Sequence, residues 1–186
     1  MHRDSLIRML DKYGLSYPNE SEIVSRFIKF IESEERCFAR DCWTGHITGS
    51  AWLVDTHSRE VLLTHHRKLN RWLQLGGHSD GVGLVNPIEI ALREATEESG
   101  LDVAPISEAI FDIDIHEIPA NLREPSHFHY DLRFMIRTVS GKSFTVTDES
   151  NALAWVPLAD LSRFTEEESI LRMADKYDLV DHLKYR

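Results

Sequence analysis

A short helical segment with three glutamates on one face is the feature that most constrains this sequence. Residues 87–99 carry helical spacing, with Asn86 and Pro87 marking the start and Gly100 the end. At about 100° per residue, three carboxylates share an arc of about 100°; they belong to Glu94, Glu97 and Glu98. A neighbouring face is apolar and consists of Ile88, Ala91, Leu92 and Ala95. The pattern predicts a helix that packs on a sheet through its apolar face and carries the carboxylates on the neighbouring face.

The periodicity around this helix predicts an α+β fold, with a mixed sheet sandwiched against helices. Residues 4–36 are expected to be helical with a break at Gly14 and Pro18, and Asn19 or Ser21 is expected to cap the second helix. The other expected elements are strands at 47–54, 61–63, 109–117, 130–138 and 152–156, a glycine-rich loop at 76–83, and a last helix at 165–183 capped by Thr165.

Charge and composition exclude some classes of partner. The chain has 21 Lys and Arg against 31 Asp and Glu, a formal net charge of −10. Such a protein repels a phosphate backbone, so no nucleic acid polymer is expected as a partner. A small phosphorylated ligand stays compatible, because a bound divalent cation reverses the local charge. No apolar run approaches bilayer length and the start lacks a signal-peptide core, so we expect a cytoplasmic protein without membrane contact. Cys37 and Cys42 are expected to be free thiols.

The three carboxylates themselves point to a metal. Like charges this close disfavour one another unless a positive charge lies between them. Hard divalent cations such as Mg²⁺ or Mn²⁺ prefer oxygen ligands and usually also hold waters and substrate phosphates. A carboxylate triplet beside a glycine loop therefore suits metal-assisted cleavage of a phosphoanhydride. The alternative for a glutamate-rich helix is a solvated acidic face.

The sequence of residues 93–101, REATEESGL, resembles the end of the Nudix box, G-x5-E-x7-R-E-U-x-E-E-x-G-U with U aliphatic. Residues 72–77 resemble the strand and paired glycines that open the box, and residues 154–161 resemble the late strand and short helix of the family. The resemblance implies a Nudix-type α/β/α sandwich at 44–186. Residues 1–43 would form an extra helical segment, which could cover the pocket or build a homodimer.

One departure from the family pattern lies in the loop. From Gly77 to Arg93 there are 16 positions where the pattern has 14, so two residues are extra. The first box glutamate is also missing, since the counts from either end reach Gly83 or Val85. Glu89 does not replace it, because it lies about 140° round the helix from Glu94.

The resemblance implies a pyrophosphohydrolase that cleaves a diphosphate linkage in a nucleoside diphosphate derivative or related phosphorylated metabolite, with Mg²⁺ or Mn²⁺. Glu94 and Glu98 would ligate the metal, and Glu97 would bind a second metal or a metal-bound water. The carbonyl of Gly76 would complete the inner site, and Arg93 would hold a box glutamate through a charge-assisted pair.

A further acid is expected outside the box, as a metal ligand or as the base that deprotonates water. Nudix enzymes often recruit it from the loop before the late strand, which here contains Asp148 and Glu149. Glu149 is the better candidate because its side chain reaches further, whereas Asp148 can close the turn through its own backbone. The alternative is a solvated turn.

Several other polar residues lie near the box. His127 and His129 alternate along a strand, and with His78 they could contact phosphate or ribose, bind a metal of their own, or have no ligand at all. Arg67 could face substrate phosphates or be surface charge. The alternating acids and histidine at 112–116 are expected to form a solvent-facing strand edge.

Two rival functions remain. A non-catalytic Nudix-fold ligand-binding protein usually loses box carboxylates, whereas this chain keeps three. Isopentenyl-diphosphate isomerase shares the fold but needs a catalytic cysteine in an N-C-S-H-P-like context. Neither Cys37 nor Cys42 has such neighbours.

Overall fold

The computed structural model describes residues 3–79, 86–139, 141–148 and 150–184. The four α-helices are α1 (Arg3–Ser16), α2 (Ser21–Ser33), α3 (Pro87–Ser99) and α4 (Glu168–Lys184). The eight strands are β1 (His46–Asp55), β2 (Glu60–His66), β3 (Arg71–Leu73), β4 (Leu75–His78), β5 (Val103–Pro105), β6 (Asp112–Ile118), β7 (His127–Thr138) and β8 (Ser150–Pro157). Short 3₁₀ helices cover Pro18–Glu20 and Leu158–Arg163.

The strands form one mixed sheet centred on β1. β1 pairs in parallel with β7 from His46 to Val54, and antiparallel with β4 and with the start of β2. β7 pairs antiparallel with β6 along its first half and with β5 at its end. β2 carries β3 and β8. The strand β4 pairs with β1 from Thr48 to Ala51, whereas β2 pairs with it at Val54 and Asp55. The box strand β4 therefore lies earlier along β1 than β2 does.

Helices cover both faces of this sheet, which confirms the α/β/α sandwich. Alternate residues of β1 face opposite ways, as the pleat requires. Ile47, Ala51 and Leu53 belong to a core that includes α1, α2 and α3, whereas Trp52 and Val54 belong to a core that includes α4. The N-terminal helices thus share one apolar core with α3 and the sheet. Tyr130 of β7 stacks on Phe30 of α2, with ring centroids 3.9 Å apart.

Most expected elements are present, and α3 has the expected bounds with a left-handed Gly100 (φ 70°) after it. The helix break at Pro18 and the free thiols are confirmed, but α1 continues through Gly14 to Ser16 and α2 ends at Ser33 rather than at 36. Both expected side-chain caps are wrong. The residue before α2 is Glu20, which makes no side-chain cap, and α4 begins at Glu168 rather than at Thr165. The Thr165 hydroxyl instead accepts a hydrogen bond from the N–H of Glu167 at 3.2 Å.

The expected loop at 76–83 is wrong in its first residues, since the strand β4 continues to His78. Paired glycines suggest a turn, but here they lie opposite Ser50 and Gly49 of β1 because the strands and α3 approach closely. Residues 80–83 of that loop lie outside the described residues. β5 is a short strand that the sequence did not indicate, and β6 begins at Asp112 rather than at 109. No described helix has the length and apolar character needed to cross a bilayer.

Gly49→Ala should destabilise the fold by about 1–3 kcal/mol, the usual range for overpacking. An added Cβ would lie 2.2 Å from the backbone oxygen of Pro87, and neither backbone can yield cheaply. Chemical unfolding measures the change. Gly14→Ala is the control: Gly14 lies within α1, and its Cβ would meet Val24 of α2 at an ordinary 3.6 Å, so the same substitution should stabilise by about 0.5–1 kcal/mol. Equal stability of wild type and Gly49→Ala would contradict this packing.

Candidate active site on α3 and β4

Two of the three α3 glutamates lie against strand β4. Glu94 is 9% exposed and Glu98 6%. Their placement follows from the helix period, since residues four apart lie on one face. Glu97 is on the solvent side, and 58% of its side chain is exposed. The structure therefore brings Glu94 and Glu98 together at the strand and leaves Glu97 at the rim.

The two glycines of β4 make this approach possible. The N–H of Gly76 donates a 2.9 Å hydrogen bond to Oε1 of Glu98. At Gly77 an added Cβ would lie 2.3 Å from Oε1 of Glu94, so the carboxylate occupies the space of the missing side chain. The strand backbone and α3 carboxylates thus form one compact unit.

Arg93 connects the carboxylates. Its Nη2 donates to Oε1 of Glu94 at 2.8 Å and to the carbonyl of His78 at 2.6 Å, and its Nη1 donates to Glu97 at 3.1 Å. One guanidinium therefore orients two glutamates and fixes the end of β4. Three carboxylates against one arginine leave a net charge of −2. This oxygen-rich, negative donor set fits a hard divalent cation.

Gly77→Ala should weaken the binding of Mg²⁺ or Mn²⁺ that the sequence predicts at these carboxylates, because the Glu94 carboxylate must move to admit the methyl group. The free energy of unfolding should change little, since the clash is with the end of a flexible side chain. A metal-binding titration, alongside thermal unfolding, measures both. An unchanged metal affinity would contradict the contact.

The candidate residues outside α3 fall in three places. Arg67 is exposed on the turn after β2 and donates from Nη1 to the carbonyl of Asp148 at 2.9 Å. Asp148 is itself exposed, whereas Glu149 lies outside the described residues. His78, at the end of β4, belongs to a group with His127 and His129.

Five histidine rings converge on the sheet face turned away from α3, and we call them the histidine cluster: His46, His78, His116, His127 and His129. Register explains the convergence, because His46 of β1, His129 of β7 and His116 of β6 lie opposite one another across three strands. Burial lowers the pKa of His46 to about 4, and burial together with the neighbouring rings lowers the pKa of His129. These two imidazoles are therefore neutral near pH 7.

Farther along the same face lies a buried ion network that corrects one expectation. Asp112 was expected at a solvent-facing edge, but it is 0% exposed. Arg172 and Lys176 of α4 reach over β6 to its carboxylate, at 2.8 and 2.6 Å. Polar and apolar residues do alternate along β6, but α4 covers the polar face at Asp112 that the sequence predicted to face solvent.

Arg133 is the centre of this network and is 2% exposed. It contacts the carboxylates of Asp131 at 2.8 Å, Asp112 at 3.2 Å and Asp114 at 3.3 Å. Burial alone would raise the pKa of Asp114, but the His116 hydrogen bond and the nearby arginines outweigh it and lower that pKa to about 2. Asp114 therefore contributes stability above about pH 4, and this contribution is lost as the pH falls through about 2.

Sequence reasoning missed His46 and Arg133. Both had a detectable signal, since polar residues recur at every second position of otherwise apolar strands, at 46, 48 and 50 and at 129, 131 and 133. That these positions lie on the same face of the sheet follows only from the parallel pairing of β1 with β7.

Solved structures with the same architecture identify the fold. A Nudix-family hydrolase from Clostridium perfringens is 28% identical, covers 73% of this chain over 97% of its own, and has a TM-score of 0.52. The Escherichia coli dihydroneopterin triphosphate pyrophosphohydrolase is 14% identical over 70% of this chain and 93% of its own, with a TM-score of 0.52. The chain has the Nudix fold.

A UDP-X diphosphatase matches more of the chain, 95% of it over 92% of its own, at 16% identity and a TM-score of 0.53. No protein-family model matches the sequence, and no curated protein matches it. The Nudix assignment therefore rests on the architecture, and the box resemblance of α3 agrees with it.

Proposed function

We propose that this protein is a divalent-metal-dependent hydrolase that cleaves a diphosphate linkage in a nucleoside diphosphate derivative or related phosphorylated metabolite. One observation carries the proposal: the carboxylates of Glu94 and Glu98 are nearly buried against Gly76 and Gly77, and Arg93 connects Glu94 to Glu97. Burying carboxylates is costly, and a bound cation would offset that cost. The Nudix fold and the 28% identical hydrolase of that family support the reaction class.

In the proposed site, Glu94 and Glu98 hold Mg²⁺ or Mn²⁺, with the carbonyl of Gly76 as a further ligand. Glu97, at the exposed rim, holds a second ion or a water on it. When bound, the metal neutralises charge that develops on the attacking and leaving oxygens. Arg93 is a positioning residue, because it acts by orienting two of the glutamates.

Proton removal from the attacking water is assigned to Glu149, with Asp148 as its rival. Arg67, which is exposed, and His78 and His129, which are partly buried, are candidates for phosphate contact, and so is His127. The buried His127, at 4% exposure, has less access to a substrate.

A cleft of about 720 Å³, lined by residues of β3, β6 and the segment at 164–169, is a second candidate place for a ligand. Trp72 and Phe164 line it, with ring centroids 5.5 Å apart, and such rings stack on a nucleobase. Its acidic residues, among them Asp114 and Glu167, suit ribose hydroxyls better than phosphates. We assign residues 44–186 to the hydrolase domain and 1–43 to an accessory helical segment.

The burial of Cys37 argues against the isomerase alternative. Cys37 is 0% exposed, and burial raises the pKa of its thiol to about 11. A thiol in this state is a poor nucleophile or acid–base catalyst at neutral pH.

The experiment is a panel of nucleoside diphosphate sugars, dinucleoside polyphosphates, nucleoside triphosphates and other phosphorylated metabolites, each with Mg²⁺ or Mn²⁺. Release of phosphate or nucleotide is measured with and without a chelator. Metal-dependent release from at least one diphosphate supports the proposal. Ligands that raise the melting temperature without being cleaved would instead indicate a non-catalytic ligand-binding protein.

Divalent cation should also stabilise the fold, since it binds the native arrangement and relieves carboxylate repulsion. At a hundredfold excess over Kd, binding adds about 2.7 kcal/mol to the free energy of unfolding. Thermal unfolding with Mn²⁺ and with a chelator measures the effect. Glu94→Gln should reduce it strongly. An unfolding curve that is the same with Mn²⁺ and with chelator would contradict the site.

A further inference from the structure

The histidine cluster provides nitrogen ligand atoms on the sheet face opposite the α3 carboxylates. One ring nitrogen from each of His46, His127 and His129 lies within 4.8 Å of the other two. It is the one group of three metal-ligating side chains that converges this closely in the described part of the chain. The three come from adjacent, hydrogen-bonded strands, so the sheet backbone fixes their relative positions.

Two of the rings are oriented by backbone carbonyls. Nδ1 of His127 lies 2.9 Å from the carbonyl oxygen of Pro125, and Nδ1 of His46 lies 3.4 Å from that of Cys42. A carbonyl accepts only, so in each ring Nδ1 carries the proton and Nε2 offers its lone pair. This second-shell arrangement is the one that metal-ligating histidines usually have.

The lone pair on Nε2 of His46 accepts no hydrogen bond from the described residues. His46 is 1% exposed, and its Nε2 is buried without a hydrogen bond among the residues that the structure describes. The ring centroids of His78, His127 and His129 all lie within 5.1 Å of its own. An unsatisfied acceptor at the centre of a ring of imidazoles is explained by an ion that all of them bind.

His78 supplies a fourth nitrogen at the correct spacing. Its Nε2 lies 3.1 Å from Nε2 of His129. Nitrogens at 2.0–2.1 Å from a tetrahedral zinc ion are about 3.3 Å apart, so this pair already has nearly the separation of two ligands. His78 also joins the cluster to β4, whose glycines contact Glu94 and Glu98.

We propose that His46, His127 and His129, with His78 as fourth ligand, form a binding site for Zn²⁺ or a similar borderline transition-metal ion, separate from the carboxylate site on α3. Imidazole nitrogens select zinc, copper and nickel, whereas Mg²⁺ and Mn²⁺ prefer oxygen. The site is on the opposite face of the sheet from α3. Its ion pins β1, β4 and β7 together at one end and so fixes the strand that carries Gly76 and Gly77.

The test is Zn²⁺ titration of the full-length, chelator-treated protein by calorimetry, with Co²⁺ as a spectroscopic probe of tetrahedral nitrogen coordination. We expect one Zn²⁺ per chain at this site, a raised melting temperature, and the visible absorption of tetrahedral Co²⁺. His127→Asn and His46→Asn are the variants, because asparagine keeps a donor near the Nδ1 position and removes Nε2. Both should lose the cobalt spectrum and at least tenfold in Zn²⁺ affinity.

Two controls make the result decisive. His57→Ala removes an exposed histidine on the turn after β1 and should bind Zn²⁺ as the wild type does. The double variant Glu94→Gln and Glu98→Gln should also keep the site, which separates this proposal from the proposed hydrolysis. If either asparagine variant fails to fold, His78→Ala at the end of β4 replaces it and should weaken binding. The proposal is overturned if the wild type takes up no Zn²⁺, or if Zn²⁺ binding is lost with the glutamates and kept without the histidine nitrogens.

Discussion

Replacing Glu98 with Gln should lower the rate of diphosphate hydrolysis at least about a hundredfold. A metal ion contributes several kcal/mol to transition-state stabilisation, and a loss of about 3 kcal/mol corresponds to about a hundredfold in rate. The amide keeps an oxygen that can accept the hydrogen bond from the N–H of Gly76, so the fold should survive. Steady-state kinetics on a substrate from the panel, with circular dichroism as a check of folding, measures the effect.

Glu94→Gln should have an effect of similar size, because the same site loses one charge. Glu89→Gln is the matched control: it makes the same change on the same helix, but Glu89 is exposed and accepts a hydrogen bond from Asn86 at 3.4 Å. Its rate should stay within about twofold of the wild type. Full turnover by Glu98→Gln would show that the α3 carboxylates do not hold the essential metal.

Arg133→Met should cost about 3–5 kcal/mol of folding stability, the usual result when one partner of a buried ion pair is removed. Asp112 would keep Arg172 and Lys176, but Asp131 would lose the guanidinium that now lies 2.8 Å from it. Asp131 would then depend on neutral donors, the hydroxyls of Thr48 and Ser50 and the amide of Gln74. Urea unfolding measures the loss.

Two comparisons separate charge from packing at this position. Arg137→Met changes an exposed arginine of the same strand and should alter stability by less than about 0.5 kcal/mol. Adding Asp131→Asn to Arg133→Met removes the uncompensated charge and should recover part of the loss. If the double variant is less stable than Arg133→Met alone, the cost comes from packing and not from the buried carboxylate.

Local sequence patterns predicted the structure correctly where the periodicity of a segment itself determines which of its residues are buried. The bounds of α3 followed from Pro87, Gly100 and the 3.6-residue period, and its apolar face packs on the sheet as expected. The arc of glutamates was correct for the same reason. The three glutamates differ in burial, however, because β4 covers Glu94 and Glu98 and leaves Glu97 exposed.

Local patterns failed where a distant segment decided the outcome. Gly76 and Gly77 suggested a loop, but pairing with β1 made them strand, and the alternation of Asp112 and Asp114 suggested solvent until α4 covered that face. Neither partner is near in sequence, so no local period could have signalled it.

The sequence by itself determined the acidic helix α3 and its place in a Nudix-like order of elements, because the helix period, the residues that end the helix and the glycine spacing are local properties. Only the tertiary structure decided which polar residues meet. The histidines at 46, 78, 116, 127 and 129 come from four separate strands, and the register of β1, β4, β6 and β7 brings their rings together on one face. Strand register depends on pairing between distant segments, and that pairing is settled only when the whole sheet forms.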